Sequence, residues 1–413
     1  METFQKRGET MKTASIIAIG NELVEGIIVD TNSKYISKKL LEYGYKTKII
    51  KTLPDDLDLL VKEIKDSLET TDLVVTTGGL GPTEDDLTRE AVSKALEKNL
   101  ILDENLSKKI IEKAKKFHSY VPKIVERQAM VIEGATVLEN PVGTAPGMLL
   151  KTPKSTILIL PGPPVEMIPI FEKALNLIEK ENKIYQRRIK TINIPEAVLV
   201  EKYKDIIYKY KEVNVATMAS HTSGVELRFT GEKALVDEIV NMLSEKLKDY
   251  IYAFDDKTIE EIVFEKLLSK NKTVSFAESC TGGLVSANFV NLSGVSKVFK
   301  GSIVAYSNEV KQKLLNVNPK TLEKFGAVSK ECVEEMAKGV SKLLDTDYSV
   351  AISGIAGPTG GTKEKPVGTV WICAYSREND IFMTERFYFK GNRQTIRNRS
   401  TLHAFDMLRR ILK

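Results

Sequence analysis

Histidine, cysteine and tryptophan are scarce in this chain. Its 413 residues include three His, three Cys and one Trp. His118, His221 and His403 are scattered and no H-E-x-x-H occurs, so a His-rich metal site is not expected. Cys280, Cys332 and Cys373 are odd in number and form no C-x-x-C pair, which excludes a zinc ribbon or a thioredoxin-type motif. A disulfide framework is not expected either, and that suits a reducing cytoplasm. No run of 18 apolar residues is present, so no membrane-spanning helix is expected. The opening METFQKRGET is polar and lacks the apolar stretch of a secretory signal; residues 1–11 are expected to be a leader. Net charge is small as well. Sixty-one basic against 56 acidic residues leave +5, too little to argue for a nucleic-acid binder and equally compatible with small anionic ligands.

What is present is an ordinary globular composition, 42% apolar and 28% charged. At roughly 100–200 residues per domain the length suggests two to four domains. Over residues 12–172 strand and helix alternate. Ala14–Ile19, Lys46–Thr52, Asp72–Thr77 and Thr156–Leu160 read as strands. Asn32–Tyr43, Asp56–Leu68, Leu87–Leu96 and Leu106–Phe117 read as helices. That order implies a parallel sheet with helices on both faces. Residues 173–254 form a compositionally distinct stretch, read as a small α+β module with a strand at Val225–Phe229 and a helix at Ala234–Lys248. No catalytic constellation is visible in it. A second α/β pattern occupies 255–413, closing in a long basic helix over Asn392–Leu412.

Three glycine-rich clusters follow strands. The first, Thr76–Thr88, reads T-T-G-G-L-G-P-T-E-D-D-L-T. Ligands of open α/β sheets bind at the carboxyl ends of the strands. Gly78, Gly79 and Gly81 let backbone N–H groups approach a phosphate, and the next helix N-terminus adds partial positive charge. Glu84, Asp85 and Asp86 suit a hard divalent cation, and they equally suit a tight turn whose acids satisfy the helix dipole. The spacing is neither G-x-G-x-x-G nor a P-loop. Gly20-Asn21-Glu22 with Asp30-Thr31-Asn32, Asn140–Gly147, and Pro161–Met167 read as further loops at the same sheet edge.

The second cluster, Ala277–Gly283, reads A-E-S-C-T-G-G. Ser279 at such a turn suits a nucleophile, with the N–H groups of Thr281, Gly282 and Gly283 as an oxyanion hole. A serine nucleophile needs a base, and histidine is nearly absent, so Lys311 is the candidate, with Tyr306 beside it in V-A-Y-S-N-E-V-K. Cys280 is the rival nucleophile, and Ser279 as a plain N-cap remains an open alternative. The third cluster, Ile352–Gly361, with Lys363 and Lys365, suits a phosphate or a flexible surface loop. Arg393 and Arg397 share a helix face and suit either a phosphate clamp or a solvated face. Trp371 is expected in the core.

G-N-E-L-V-E-G-x-x-x-D-T-N, T-T-G-G-L-G-P-T-E-D-D-L-T and P-G-P-P-V-E-M resemble the N-terminal domain of the CinA family, which is similar to the MoaB/MogA/MoeA molybdopterin-binding domains. A-E-S-C-T-G-G, Y-S-N-E-V-K and S-G-I-A-G-P-T-G-G-x-x-x-K-P-V-G-T-V resemble the CinA C-terminal domain, the nicotinamide-nucleotide amidase. The resemblance covers nearly the whole chain, in the family's order. It implies a three-layer α/β domain of MoaB/MogA type over 12–172, a small KH-type α+β module over 173–254 and an α/β amidase domain over 255–413. It also implies two activities. The C-terminal domain would deamidate nicotinamide mononucleotide to nicotinic acid mononucleotide and ammonia without a cofactor. Ser279 would be the nucleophile, activated by Tyr306 and Lys311, with Asn308, Ser353, Gly354, Gly357, Gly360 and Arg393 on the substrate side.

The N-terminal domain would hydrolyse ADP-ribose to AMP and ribose 5-phosphate with a divalent metal and potassium. There Asn21, Glu22, Asp30, Asn32, Gly78, Gly79, Gly81 and Thr83 would face the nucleotide, and Asp85 and Asp86 the metal. Without turnover, the same cradle would simply bind a pterin or nucleotide. The middle module lacks a G-x-x-G loop, so RNA binding does not follow. It reads N-I-P-E-A at Asn193–Ala197 where the family suggests G-I-G-E-S. The resemblance further implies a cytoplasmic homodimer acting on small nucleotides, with no membrane or nucleic-acid partner.

Overall fold

The computed structural model describes residues 12–117, 120–179 and 185–412. The expected leader at 1–11 and His118 lie outside the described residues. The chain folds as two compact units divided between residues 184 and 185.

In the first unit, Thr13–Ile19 shows why its sequence is a continuous apolar run. Ala14 and Ile16 enter one core, Ile17 and Ile19 the other. Successive strand side chains point to opposite faces, and here both faces are covered. Thr156–Leu160 divides in the same way, Leu158 and Leu160 to one side, Ile157 and Ile159 to the other. The sheet has six strands in the order Lys46–Leu53, Thr13–Ile19, Leu73–Thr77, Thr156–Leu160, Gly147–Lys151, Thr136–Leu138. The first four are mutually parallel; the last two run antiparallel, so the sheet is mixed rather than wholly parallel. Asn32–Glu42 packs Ile36 and Leu40 on one face, and Leu57–Thr70 packs Leu60 and Ile64 on the other. The first leads from Thr13–Ile19 to Lys46–Leu53, and the second leads from Lys46–Leu53 back across to Leu73–Thr77, on the other side of Thr13–Ile19. The connections therefore diverge at the ends of Thr13–Ile19 and Leu73–Thr77 and leave a crevice between them. Pro161–Met167, expected as a loop, is one only at its start. Pro164–Ala174 is a helix, because a proline at the first helical position has no N–H to waste and a preset φ.

The second unit opens with a four-stranded antiparallel sheet, ordered Asn214–Ser220, Gly224–Thr230, Gln186–Thr191, Ile251–Ala253. Glu196–Ile207 and Lys233–Leu247 cover one side of it. Ile192, Tyr252 and Ala253 from this module join the core of the C-terminal sheet. Asn193, where the family suggests glycine, has φ +66°, a conformation asparagine tolerates, and donates from Nδ2 to Asp406 Oδ2 at 2.8 Å.

The C-terminal sheet is ordered Phe299–Val304, Val274–Glu278, Tyr348–Gly354, Thr369–Ser376, Ile381–Tyr388. The first three are parallel and the last two antiparallel. The helix after the glycine turn is short, Leu284–Val290. The terminal helix Arg393–Ile411 is not a solvated basic element: every residue from Ser400 to Leu408 is buried. It packs Phe405 against Phe276 and Phe289 at 6.0 and 5.6 Å between ring centroids. Trp371 lies against the opposite core, partly buried. No helix of the described residues is long and apolar enough to cross a membrane.

His403 packs against the stacked rings of Phe387 and Phe389, 4.6 and 4.9 Å away, and its Nδ1 has no partner among the described residues. Burial pushes its pKa down from 6.5 to about 4. Between those values the unfolded chain binds the proton and the folded one does not, so stability falls as pH drops from 6.5 towards 4. His403→Phe is expected to flatten that acid limb in thermal melts recorded from pH 7 to pH 4.

Candidate functional site

Two sites emerge, one in each unit. In the first, the diverging loops enclose a cavity of about 480 Å³ at the strand ends, lined among others by Glu22, Asp30, Asn32, Asp55 and Gly78–Gly81. Gly78 has φ +107°, and a Cβ there would meet the Ile19 carbonyl oxygen at 2.0 Å, so no other residue fits this close strand crossing. Gly78 N–H is itself used, by Leu160 O at 3.1 Å.

Two charged side chains shape the following turn. Arg89, fully buried, donates from Nη1 to Leu80 O at 2.8 Å and from Nη2 to Gly81 O at 2.7 Å. Asp86 accepts from Gly81 N–H at 2.7 Å, from Thr83 N–H at 3.0 Å and from the Thr83 hydroxyl. Asp86, expected as a metal ligand, is thus a brace of its own loop, and the Gly81 and Thr83 N–H groups are spent on it. Gly79 and Leu80 N–H remain without a partner among the described residues and face the cavity. Asn32 ties two strand ends together, donating to Thr77 Oγ1 at 2.9 Å and Gly162 O at 2.7 Å. Its Oδ1 is buried without a partner at the cavity wall. Asn21 and Asp55 bond each other reciprocally, and Asp30 accepts from Ser33 N–H at 2.9 Å. Asn140 is saturated: it holds Ala145 O and Glu166 and accepts from Val142 and Gly143 N–H.

The electrostatics of this cavity are acidic. Burial and the charges of Glu22, Asp85 and Asp86 push the Asp55 carboxyl above the usual range, against the opposing bond from Asn21. The Thr83 hydroxyl holds Asp85 below it. No three carboxylate, His or Cys side chains among the described residues converge as a metal cage. The donor set still fits an ion shared with a ligand, because Mg²⁺ is usually held by one or two carboxylates plus phosphate oxygens, and Asp55 and Asp85 both line the cavity.

The second site lies where Val274–Glu278 ends. Ser279 N–H bonds Ile352 O at 3.0 Å, and Lys311 Nζ lies 3.2 Å from Ser279 Oγ. Lys311 comes from the helix Asn308–Leu315, capped by Ser307, and is 1% exposed. Its Nζ also donates to Ala305 O at 2.8 Å and Tyr306 O at 3.1 Å. Burial lowers its pKa below the usual lysine range. A neutral amine has two N–H donors and one lone pair, which matches two carbonyls and one serine hydroxyl. Tyr306 serves Lys311 through its backbone carbonyl. Its hydroxyl is elsewhere, 3.2 Å from Arg393 Nη2, on a largely exposed ring. Arg393 also donates to Gly357 O at 2.8 Å.

The oxyanion donors differ from expectation. Gly282 N–H closes a turn to Ser279 O and Gly283 N–H is bonded to Glu278 Oε2 at 2.9 Å. The N–H groups of Cys280 and Thr281 bond no other residue among those described; Thr281 is fully buried, and the Cys280 N–H lies next to the nucleophile. Cys280 itself is buried, and burial pushes its thiol up to about 12, which disfavours the thiolate a rival nucleophile would need. Ser353 is committed, its Oγ donating to Ala327 O at 2.7 Å, and Gly354 packs where a Cβ would strike Val370. Asn308 and Gly360 stand at the exposed rim. Sequence reasoning missed Arg89 and left Glu278 without a part; Arg397 bonds Thr281 O at 2.7 Å rather than facing solvent. The one signal was position: each charge sits beside a glycine turn.

Fold and sites together define a protein that joins a molybdopterin-binding-type α/β domain to an α/β domain with a buried serine–lysine pair. Residues 15–180 match the family model "Probable molybdopterin binding domain", and residues 256–412 match "CinA C-terminal domain". A CinA-like protein of Thermosipho melanesiensis is 70% identical over 402 residues, covering 97% of this chain and all of that one. A CinA-like protein of Thermotoga maritima is 48% identical over 406 residues, covering 98% and 99%. The chain belongs to the CinA family. Among solved structures, "the protein CinA with unknown function" from Thermoplasma acidophilum is 36% identical over 41% of this chain and 99% of that one, with a TM-score of 0.37.

The loop brace is testable. Asp86→Ala leaves two N–H groups and a hydroxyl without their acceptor and is expected to destabilise the first unit by about 1–3 kcal/mol in urea unfolding.

Proposed function

We propose that the C-terminal domain is a nicotinamide-nucleotide amidase, and the observation that carries this reading is Lys311 Nζ, 3.2 Å from Ser279 Oγ with two carbonyls on its other side. Ser279 Oγ attacks the carboxamide carbon of nicotinamide mononucleotide and its proton passes to Lys311. The developing oxyanion is received by the Cys280 N–H, next to the nucleophile. Lys311 returns the proton to the departing nitrogen, ammonia leaves, and an ester on Ser279 remains. Water, deprotonated by Lys311, attacks the ester and frees nicotinic acid mononucleotide. Arg393, half-free at the rim, supplies a cation for the substrate phosphate.

The first unit is read as the partner activity, hydrolysis of ADP-ribose to AMP and ribose 5-phosphate. The Gly79 and Leu80 N–H groups receive a phosphate. A divalent ion, with potassium as the monovalent partner the family implies, would be held by Asp55 and Asp85 together with the diphosphate. When bound, such an ion neutralises diphosphate charge and supports activation of water. The commitment of Asp86 to its own loop favours a second reading, binding of a pterin or nucleotide without turnover. The setting proposed is the cytoplasm, where Cys280, Cys332 and Cys373, all free and buried, stay reduced; the assembly proposed is a homodimer.

Two measurements test these readings. Ammonia release from nicotinamide mononucleotide should fall by orders of magnitude in Ser279→Ala and in Lys311→Met while both variants stay folded. Its kcat/KM should rise with pH along a limb set by Lys311, below the usual lysine range, because the base works once it has lost its proton. An inert wild type would sink the amidase reading. AMP release from ADP-ribose should require added Mg²⁺ and stop with EDTA; tight AMP binding without any turnover would leave the binding reading.

A further inference from the structure

Glu278 precedes the nucleophile and is fully buried. Its Oε2 accepts from Gly283 N–H at 2.9 Å and Val285 N–H at 3.1 Å. Its Oε1 accepts from Ser286 N–H at 2.9 Å and the Ser286 hydroxyl at 2.5 Å. Those donors are the start of Leu284–Val290, a helix of seven residues whose first N–H groups have no partner within it. From the other side, Arg397 takes Thr281 O with Nε at 3.2 Å and Nη2 at 2.7 Å. The turn 279–283 is therefore tied at Ser279, Thr281, Gly282 and Gly283. The Cys280 N–H, which bonds no other residue among those described, lies between the ties.

We infer that Glu278 is a positioning residue that holds the turn after Ser279 and so aims the Cys280 N–H at the developing oxyanion. The mechanism above gives it no part, and it has no atom on the substrate. The inference rests on the serine-nucleophile reading of this site but not on which amide is cleaved. A side chain one residue from Ser279 is well placed for this. It shares the strand end with the nucleophile, so it fixes the turn relative to Ser279 Oγ. Glutamine has the same shape but replaces one acceptor oxygen with an NH₂ that faces N–H groups. The turn must then shift and the hole opens.

The test is the labelling of Ser279 by a fluorophosphonate probe, in which Ser279 Oγ bonds to phosphorus and fluoride leaves. The phosphoryl oxygen occupies the hole whether or not nicotinamide mononucleotide is the substrate. Glu278→Gln is expected to slow labelling about 10²–10³-fold, the usual loss for an oxyanion donor. The kcat for nicotinamide mononucleotide should fall in parallel, with KM and the affinity for nicotinic acid mononucleotide nearly unchanged and the Lys311 pH limb in place. A merely structural part would weaken product binding as well. Ser286→Ala, which removes one donor to Glu278 and keeps the carboxylate, should give a smaller fall of the same kind and serves if Glu278→Gln does not fold. Labelling of a folded Glu278→Gln at the wild-type rate overturns the inference even if turnover is lost. A wild type that labels but leaves nicotinamide mononucleotide intact overturns the substrate assignment alone.

Discussion

An amine on a four-carbon stem, taken out of water, must find acceptors or give up its proton. Lys311 finds acceptors, and burial lowers its pKa as well. Ala305 O and Tyr306 O occupy two of its hydrogens, and Ser279 Oγ occupies the remaining direction. The arrangement needs the strand Phe299–Val304 to stop where it does, so that the next two carbonyls turn inward instead of continuing the sheet. It also needs the Ser307 cap to start the helix that returns Lys311 beneath the nucleophile. A base of this kind removes the need for histidine. The histidine of this half, His403, is buried among aromatic rings far from such a task.

The two units solve one backbone problem in the same way. A glycine turn that must present N–H groups to an anion is prevented from satisfying them internally. In the first unit, Arg89 takes the carbonyls of Leu80 and Gly81 while Asp86 takes the amides of Gly81 and Thr83. In the second, Arg397 takes the carbonyl of Thr281 while Glu278 takes the amides of Gly283, Val285 and Ser286. In each case a guanidinium takes carbonyls of the turn and a carboxylate takes amides of it. Charge-assisted bonds to buried groups are suited to this because they are strong and directional.

Much of the architecture was legible from pattern. The apolar runs at Thr13–Ile19 and Thr156–Leu160 are strands covered on both faces, and the glycine clusters lie at strand ends. The strands Gln186–Thr191 and Asn214–Ser220 were not legible. One carries three polar residues before its first buried apolar one, and the other exposes most of its side chains. The helix Lys330–Leu344 was missed although its apolar spacing is regular. The terminal helix expected over Asn392–Leu412 is found at Arg393–Ile411, but the burial of its middle turns was not legible, because periodicity does not reveal that Arg409 pairs with Asp406 and Arg410 with Glu385.

Ser279 and Lys311, 32 residues apart, were joined from sequence by elimination and by resemblance, and the fold brings them within 3.2 Å. Residue type and local order determined where the strands end, where glycine is obligatory, and which groups can act as nucleophile and base. Those are properties of single positions and nearest neighbours. The tertiary structure alone decided which amides of the two glycine turns are already bonded, that Asp86 accepts from its own loop, that the Tyr306 carbonyl rather than its hydroxyl meets Lys311, and that Cys280 is buried. Each of these depends on what lies opposite a group across the fold. Hydrogen-bond capacity is spent by whichever partner arrives in space, and chain order does not record that.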